Sequence, residues 1–263
     1  MSSTKVPLNK IVIGTASWGS KINYANSLII AKELVNLGIN NFDTAPNYGA
    51  GYSQSILNKL GKNYKINVNS KFGQRVKFNL YEIAKRVYRY NNFKSFINSN
   101  LNLFNYTFRN NKFWLNENIK KNLLNIKKEL FNCNLDIFFL HSPNKNFSKK
   151  TFNEFKIICS LNNLRPGISN IEDDFVEYML SKEQKVILQM PLRQYFKFEK
   201  KINLNKYEVQ INTIFKSKNE QRKFSINSYT NDVFKYFQNK KNIKLIIGIN
   251  SSDSLYKLKE NII

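Results

Sequence analysis

Four residues that could together move a proton stand at or just after the ends of predicted strands. Asp43 ends the second predicted strand and is followed closely by Tyr48, while Lys71 ends the third strand and His141 ends the fourth. The carboxyl ends of the strands in a parallel barrel share one rim, so these side chains should converge there. Singly, each has a simpler interpretation, since an aspartate can cap a turn, a tyrosine can pack, a lysine can reach solvent and a histidine can be structural. Their occurrence at successive strand ends favours a catalytic site.

The chemistry that these side chains could perform is general acid catalysis. A free tyrosine has a pKa near 10, which is poorly matched to donating a proton at neutral pH. The ammonium of Lys71 should lower the pKa of Tyr48, and the carboxylate of Asp43 should keep that lysine charged and in place. The imidazole of His141 can donate a hydrogen bond to a substrate carbonyl oxygen. No metal ion is required.

The strands that would position these residues are predicted from short β-branched runs bounded by Gly, Asn, Asp or Pro. Stretches with helical periodicity lie between most of them. This alternation predicts an α/β fold with a parallel sheet, and 263 residues suit a single (β/α)8 barrel, which typically needs about 250. The predicted strands are Lys10–Gly14, Ile39–Asp43, Ile66–Lys71, Asp136–His141, Arg165–Ser169, Val186–Met190, Tyr207–Ile211 and Lys244–Gly248.

Apolar residues at helical spacing also give the bounds of the helices. The predicted helices are Ala25–Leu37, Tyr52–Leu60, Glu117–Phe131, Thr151–Leu161, Glu172–Ser181, Asn231–Lys240 and Ser252–Ile262. Gly38 and Gly61 follow the first two helices and are expected to be their C-caps. The region from Gln194 to Lys206 is too polar and too short for a helix to be predicted.

One long stretch interrupts the alternation of strands and helices. Residues 74–116 form an insertion rich in Asn and aromatic residues between the third strand and its helix. Loops of this length are usually functional or carry their own structure. The insertion begins on the rim that carries Lys71, so its aromatic side chains could wall a substrate pocket. We therefore expect one domain over residues 1–263, with an insertion at about 74–116.

Several segments resemble the motifs of the aldo-keto reductases. Residues 14–19 (GTASWG) resemble the family's opening strand and loop, and residues 41–49 (NFDTAPNYG) with 51–53 (GYS) resemble its most specific signature. Residues 70–73 (SKFG) and 139–143 (FLHSP) resemble its lysine and histidine strands. The resemblance spans residues 10–263, and the chain is identified as a short, bacterial-type member with a reduced C-terminal loop.

The resemblance implies a fold and an activity. It implies a single-domain TIM barrel that reduces an aldehyde, ketone or sugar-like carbonyl to an alcohol with NAD(P)H. Tyr48 would be the proton donor in this reaction. The catalytic residues that it implies are Asp43, Tyr48, Lys71 and His141.

The same resemblance implies where a nicotinamide cofactor would bind. Residues 167–170 (GISN) and Gln189 resemble the segments that hold the nicotinamide carboxamide, and residues 248–252 (GINSS) resemble the adenosine-phosphate site. The residues assigned to the cofactor are Thr15, Ser169, Asn170, Gln189, Gly248, Asn250, Ser251, Ser252, Lys257, Glu260 and Asn261. Trp18 is expected to line the substrate pocket, although a tryptophan at a strand end can also be a core residue. Ser251 and Ser252 could instead be ordinary helix N-caps.

Lys257 bears on the choice of cofactor. It falls where many NADPH-using members of the family carry an arginine that contacts the 2′-phosphate. We therefore expect NADPH to be preferred over NADH, less strongly than with arginine because lysine lacks the bidentate fork. The alternative is that Lys257 is one more solvated lysine. No Gly-x-Gly-x-x-Gly follows a predicted strand, which argues against a Rossmann dehydrogenase.

The net charge of +24 raises the alternative of a nucleic-acid-binding protein. The lysines are scattered over the polar faces and ends of predicted helices, and an A+T-rich coding sequence would produce this composition without selection for binding. We recognise no helix-turn-helix, RNP or zinc-finger pattern. We therefore expect a small-molecule carbonyl substrate and no specific nucleic-acid or membrane partner. A non-catalytic protein on the same fold, which senses the cofactor or binds a partner, is the alternative function.

The remaining composition points to a cytoplasmic protein. Cys133 and Cys159 are too few for a disulfide framework or a metal site. The start of the sequence has no apolar targeting segment.

Overall fold

Eight parallel strands pair edge to edge and close into a barrel. In the computed structural model, the described residues are 6–73, 116–143, 148–170, 185–201, 203–212, 229–249 and 251–262. The order of the strands around the barrel follows the order along the chain, and the last strand pairs with the first. The strands are β1 (Ile11–Gly14), β2 (Asn41–Asp43), β3 (Asn67–Phe72), β4 (Asn134–His141), β5 (Arg165–Ser169), β6 (Ile187–Pro191), β7 (Val209–Asn212) and β8 (Ile243–Gly248). The predicted (β/α)8 barrel is confirmed, and every predicted strand agrees with the observed one to within two residues at each end.

The described helices pack around the outside of the barrel. They are α1 (Tyr24–Asn36), α2 (Tyr52–Gly61), α3 (Asn116–Glu129), α4 (Lys149–Leu161), α5 (Leu192–Glu199), α6 (Tyr229–Phe237) and α7 (Ser252–Ile262). Among the described residues, no helix is long and apolar enough to cross a membrane. The predicted helix Glu172–Ser181 and nearly all of the 74–116 insertion lie outside the described residues.

Helix α5 corrects one prediction. It lies partly within the region from Gln194 to Lys206, where no helix was expected, and it begins directly after Pro191. Leu192, Tyr195 and Phe198 are buried, and their spacing of three residues places them on one face of the helix. Burial of that narrow face against the barrel stabilises a segment whose average composition is polar.

The two glycines expected to be C-caps differ in role. Gly38 has a φ of +87° just after α1, which is the left-handed conformation of a C-cap. Gly61 instead lies within α2, and the prediction for it was wrong. A Cβ at Gly61 would lie 2.5 Å from the carbonyl oxygen of Asn132. Glycine is therefore needed at this position because the backbone of the α3–β4 loop approaches closely.

The apolar residues divide into two unequal groups. The larger one lies between the outer face of the barrel and the helices, where Phe138 of β4 packs against Phe155 of α4 with ring centroids 5.7 Å apart. The smaller one, inside the barrel, consists of Ile137, Phe139 and Ile187. The ring of Phe139 fills the space beside Gly167, where a Cβ would lie 2.4 Å from it. Buried polar side chains, among them His141, Ser169 and Gln189, follow this group toward the carboxyl ends of the strands.

A network of charged side chains closes the opposite, N-terminal end of the barrel. Arg165, the first residue of β5, donates to both carboxylate oxygens of Asp136 at 2.8 and 2.5 Å. It also donates to Glu208 at 2.6 Å, and Lys244 lies 3.4 Å from the same carboxylate. Charged groups at the N-terminal end of a (β/α)8 barrel typically contribute to stability rather than to catalysis.

Glu129, the last residue of α3, should destabilise the fold at neutral pH. Burial raises the pKa of its carboxyl to about 7. A carboxylate at a helix C-terminus is also disfavoured by the helix dipole. The folded state therefore prefers the protonated acid. Below the unfolded pKa of about 4.3, Glu129 does not reduce the free energy of unfolding, and this part of the stability is lost as the pH rises through 7.

We predict that Glu129→Gln raises the melting temperature at pH 8 but not at pH 4.5, because the amide stays neutral at both. A destabilisation on the order of 1–2 kcal/mol would correspond to about 2–6 °C in a protein of this size. Calorimetry at the two pH values checks this. The control is Glu117→Gln, since Glu117 is exposed in the first turn of the same helix. An equal change in both variants, or a change that does not depend on pH, would contradict the prediction.

Candidate active site

A buried ion pair joins the ends of β2 and β3. The Nζ atom of Lys71 lies 2.5 Å from Oδ2 of Asp43, and it also donates to the carbonyl oxygen of Thr44 at 3.2 Å. The side chains of Lys71 and Asp43 are 1% and 5% exposed. The pair forms because β2 and β3 are neighbours in the barrel, with Asp43 opposite Asn69, so that Lys71 lies two residues further along its strand.

Tyr48 lies over the ammonium of this pair. The Nζ atom of Lys71 is 4.8 Å from the centroid of the Tyr48 ring. Tyr48 begins a short 3-10 turn, Tyr48–Gly51, whose second residue is Gly49. Gly49 has a φ of +56°, and a Cβ there would lie 1.6 Å from the carbonyl oxygen of Trp18. Only glycine allows this turn to press against the loop after β1 and hold Tyr48 at Lys71.

The pKa of Tyr48 does not shift as expected. Burial raises it above the ordinary value of 10.0, and this effect outweighs the positive charge of Lys71 and the hydrogen bond with it, both of which lower it. The negative charge of Asp43 raises the pKa further. Lys71 therefore acts in the predicted direction, but burial outweighs it and the net shift is upward. The phenol is protonated at neutral pH.

Lys71 is charged despite its burial. Burial by itself lowers the pKa of Lys71, but the charge of Asp43, the electrostatic interaction with Tyr48 and the hydrogen bonds with both raise it, and the net shift is upward. The expectation that Asp43 keeps this lysine protonated is consistent with that direction. The site therefore presents an ammonium beside a neutral phenol.

His141 ends β4 on the same rim and is uncharged. Burial and the charge of Lys71 lower the pKa of His141 to about 3. Its Nε2 atom lies 3.2 Å from Nδ2 of Asn170. Asn170 follows β5 with a φ of +52°, and its side chain is exposed. A neutral imidazole beside an exposed amide offers hydrogen bonds to an uncharged polar ligand.

Ser169 and Gln189, both assigned to the cofactor, are bonded to one another and to the ion pair. The hydroxyl of Ser169 donates to Oε1 of Gln189 at 2.6 Å, and Nε2 of Gln189 donates to Oδ1 of Asp43 at 2.8 Å. Both residues are buried. The structure thus brings Ser169, Gln189 and Asn170 together with the four residues at the strand ends.

Thr15 and Trp18 lie in the loop that follows β1. The hydroxyl of Thr15 donates to the carbonyl oxygen of Asp43 at 3.0 Å, which links this loop to the end of β2. Trp18 is completely buried, packs edge-on against Phe42, and donates its indole N–H to the carbonyl oxygen of Ile249 at 3.3 Å. Trp18 therefore occupies a core position, which differs from the expected one in the substrate pocket because no part of its side chain is exposed.

The residues expected at the adenosine end surround the start of α7. Gly248 ends β8 opposite Gly14, so this segment adjoins the loop after β1. Ser251 caps α7 by accepting a hydrogen bond from the backbone N–H of Ser254 at 3.2 Å, as in the simpler of its two interpretations. Ser252, Lys257 and Glu260 are exposed residues of the helix. Asn250 and the side chain of Asn261 lie outside the described residues.

Two buried amides inside the barrel were not predicted. Asn69 of β3 and Gln210 of β7 face one another, and Nδ2 of Asn69 lies 3.4 Å from Oε1 of Gln210. Two signals could have found them. Asn69 precedes Lys71 by two residues and must share its side of the strand, and a glutamine in a short apolar strand is costly to bury without a purpose.

The described residues contain no group of three or more His, Cys, Asp or Glu side chains that could hold a metal ion. The side chains at the rim, Asp43, Tyr48, Lys71 and His141, instead form a set that is suited to proton transfer and to hydrogen bonding of a neutral carbonyl group.

Comparison with known proteins gives one family and several similar folds. The model of the aldo/keto reductase family matches residues 10–247. An aldo-keto reductase from Bacillus halodurans, in its holo form, is similar with a TM-score of 0.66 and 15% identity, over 96% of this chain and 85% of that one. A glycerol dehydrogenase from Gluconobacter oxydans is similar with a TM-score of 0.61 and 16% identity, over 100% of this chain and 90% of that one. No curated protein matches the sequence significantly. At these identities the structural likeness concerns the fold alone.

We predict that His141 keeps a neutral ring from pH 8 down to about pH 4, since its pKa is about 3. His141 is the only histidine in the chain, so its ring signals in NMR spectra are unambiguous. Because the pKa is lowered in the folded state, the unfolded chain takes up the proton first and stability should fall as the pH drops below about 6.5. In Lys71→Met the pKa should rise but stay below its ordinary value, because burial remains. A titration centred near 6.5 in the parent protein would show that the ring is open to water.

Proposed function

The chain belongs to the aldo/keto reductase family, and on that premise we propose that it reduces an aldehyde, ketone or sugar-like carbonyl to an alcohol, with Tyr48 as the proton donor. The observation that carries the proposal is the Lys71 ammonium, which is buried between the carboxylate of Asp43 and the ring of Tyr48. Members of this family use NAD(P)H, and we propose NADPH as the cofactor here. The protein would act in the cytoplasm on a small-molecule substrate.

The proposed proton transfer follows from the charges at the site. The cofactor, when bound, supplies the hydride that adds to the carbonyl carbon. Tyr48 gives its phenolic proton to the carbonyl oxygen, so that the product is an alcohol and a phenolate is left on the enzyme. The ammonium of Lys71 stabilises that phenolate, and Asp43 keeps the ammonium in place. Each residue thus has one role, and the charges balance.

His141 would orient the substrate in this proposal. Its neutral imidazole can donate a hydrogen bond to the carbonyl oxygen without placing a second cation beside Lys71. The low pKa of His141, about 3, supports the hydrogen-bond role because it rules out an imidazolium as the acid at neutral pH. Tyr48, whose raised pKa keeps the phenol protonated at neutral pH, is the group that holds a proton to donate.

The chemistry of the available side chains fits a nicotinamide dinucleotide. The exposed amide of Asn170 beside His141 suits the carboxamide. We assign Ser169, Gln189 and Thr15 to the same end of the cofactor, since Gln189 and Thr15 are bonded to Asp43 and Ser169 to Gln189. The N-terminus of α7, where Ser251 is the cap, suits phosphate because its backbone N–H groups and dipole favour an anion. We assign Gly248, Asn250, Ser252, Lys257, Glu260 and Asn261 to the adenosine end. The net charge of +24 would also attract an anionic cofactor to the protein.

We predict that Tyr48→Phe abolishes carbonyl reduction and leaves the affinity for NADPH within a few-fold of the parent value. The reason is that the substitution removes the proton donor and keeps the ring over Lys71. The measurement is the loss of NADPH absorbance with a panel of aldehydes, ketones and sugars, together with a binding titration.

The matched control for this variant is Tyr64→Phe. Tyr64 packs against the outer core before β3, away from the rim, so the loss of its hydroxyl should leave turnover unchanged. Substantial turnover in Tyr48→Phe would remove Tyr48 as the acid. Absence of reduction by the parent protein with every carbonyl, despite tight NADPH binding, would favour a cofactor-sensing protein.

We further predict that Lys257→Ala weakens NADPH binding tenfold or more and spares NADH. A hydrogen bond to a charged group contributes about 1.5–3 kcal/mol, and only NADPH carries the 2′-phosphate. The control is Lys259→Ala on the same helix, because Lys259 instead forms an ion pair with Glu33 of α1 at 2.8 Å. Dissociation constants for both cofactors check this. Equal losses for NADPH and NADH in Lys257→Ala, or none, would remove Lys257 from the site.

A further inference from the structure

A chain of amide groups crosses the barrel from β3 to the ion pair. Asn69 donates to Oε1 of Gln210 at 3.4 Å, and the same oxygen lies 3.4 Å from Nε2 of Gln189. Gln189 in turn donates to Asp43, which binds Lys71. Since β3 and β7 are not neighbours, Asn69 and Gln210 can meet only through the interior of the barrel.

The donors and acceptors in this series of amide hydrogen bonds allow only one orientation of the Gln189 amide. Its Oε1 atom accepts from Ser169, so its NH2 group must face Asp43 and Gln210. One of the two protons goes to Oδ1 of Asp43, and the second points to Oε1 of Gln210. A rotated amide would place its oxygen against the carboxylate of Asp43, and Gln210 helps to prevent this by offering an acceptor on the other side.

Gln210 contacts its neighbours through only one of its two polar side-chain atoms. Gln210 is completely buried, and its Nε2 atom has no hydrogen-bond partner among the described residues. A methionine of similar volume would remove this unsatisfied donor, but it would also leave Asn69 and Gln189 without the acceptor that Oε1 of Gln210 offers. Gln210 thus acts on its surroundings through the one oxygen that both neighbouring amides share.

We propose that Gln210, held by Asn69, is a positioning residue that fixes the amide of Gln189 and thereby holds the carboxylate of Asp43 on Lys71. Gln210 touches neither substrate nor cofactor and acts only through Gln189. The proposal rests on the proposed function, because it concerns the residues to which that function assigns the proton transfer. It can nevertheless be tested without turnover.

The first test uses Gln210→Met and the NMR signals of His141, the only histidine. The titratable groups that surround Lys71 among the described residues are Asp43, Tyr48 and His141. Because the charge of Lys71 affects His141, loss of a proton from the Lys71–Tyr48 pair at alkaline pH should shift the His141 signals. In Lys71→Met the step should move to higher pH, because Tyr48 then loses the neighbour that lowers its pKa.

The expected direction of the shift in the alkaline step follows from the effect of Asp43 on the pKa values of Lys71 and Tyr48. Asp43 raises the pKa of both Lys71 and Tyr48, so a less firmly held carboxylate lowers both. In Gln210→Met the alkaline step should move to lower pH by about half a unit or more, a fraction of the shift for complete loss of a charged partner. The melting temperature should fall by a few degrees, because Asn69 and Gln189 lose their acceptor. The kcat for carbonyl reduction should fall about tenfold with KM nearly unchanged, and its alkaline limb should move with the NMR step.

The matched control is Gln54→Met. Gln54 is a buried glutamine of α2 whose amide donates to Ser70 at 3.2 Å outside the barrel, so it has the same residue type and burial without a link to Asp43. Its substitution should leave the alkaline step and kcat at the parent values. Asn69→Leu provides a second variant that acts on Gln210 from the other end. Its alkaline step should move in the same direction by a smaller amount.

Unchanged alkaline steps in folded Gln210→Met and Asn69→Leu would overturn the proposal. So would a shift of equal size in Gln54→Met, which would show that any buried amide has this effect. If Gln210→Met does not fold, Asn69→Leu decides alone. Should the parent protein reduce no carbonyl, the proposed function fails, but the NMR step still decides whether Gln210 positions Asp43.

Discussion

A positive charge inside a protein barrel is tolerated only when an opposite charge lies against it. Lys71 meets this condition through Asp43, with both side chains almost completely buried. Removal of one partner from such a pair typically costs about 3–5 kcal/mol, because the other charge stays buried and unpaired. The neighbours are arranged around this constraint. Tyr48 lies over the ammonium as a neutral phenol, His141 is kept uncharged beside it, and Gln189 turns its NH2 group to the carboxylate.

The division of the apolar residues makes room for this polar interior. Stability comes mainly from the outer core between strands and helices, where residues such as Phe138 and Phe155 pack. Inside the barrel, the described apolar cluster is small, with Phe139 filling the space beside Gly167. Hydrophobic stabilisation scales with the apolar area removed from water, so the larger outer core contributes most of it. The barrel can therefore use its inner residues for charge and hydrogen bonding, as Gln210 illustrates.

The site residues at the strand ends could be predicted from the sequence, because polar residues that can do chemistry directly follow the apolar runs that predict the strands. Each apolar run stops at a polar residue, and the parallel topology then brings Asp43, Lys71 and His141 to one rim. The contact between Asn69 and Gln210 could not be predicted in the same way, because it depends on which strands face one another across a closed barrel. Helix α5 was missed for a different reason. A narrow buried face on a short helix leaves its average composition polar, so a periodicity search over a longer window does not detect it.

Two opposing effects, burial and the charge of Lys71, determine the pKa of Tyr48. An acid must hold its proton at the working pH and release it readily during the reaction, and these demands oppose each other. Burial satisfies the first by raising the pKa of Tyr48, whereas Lys71 acts in the opposite direction. In the proposed reaction, the main role of Lys71 is then to stabilise the phenolate that forms rather than to create one beforehand. That role requires the ammonium to be fixed before the proton moves, because a charge that must first reorient stabilises a transition state less well. The contacts from Asp43 back through Gln189 provide this fixation.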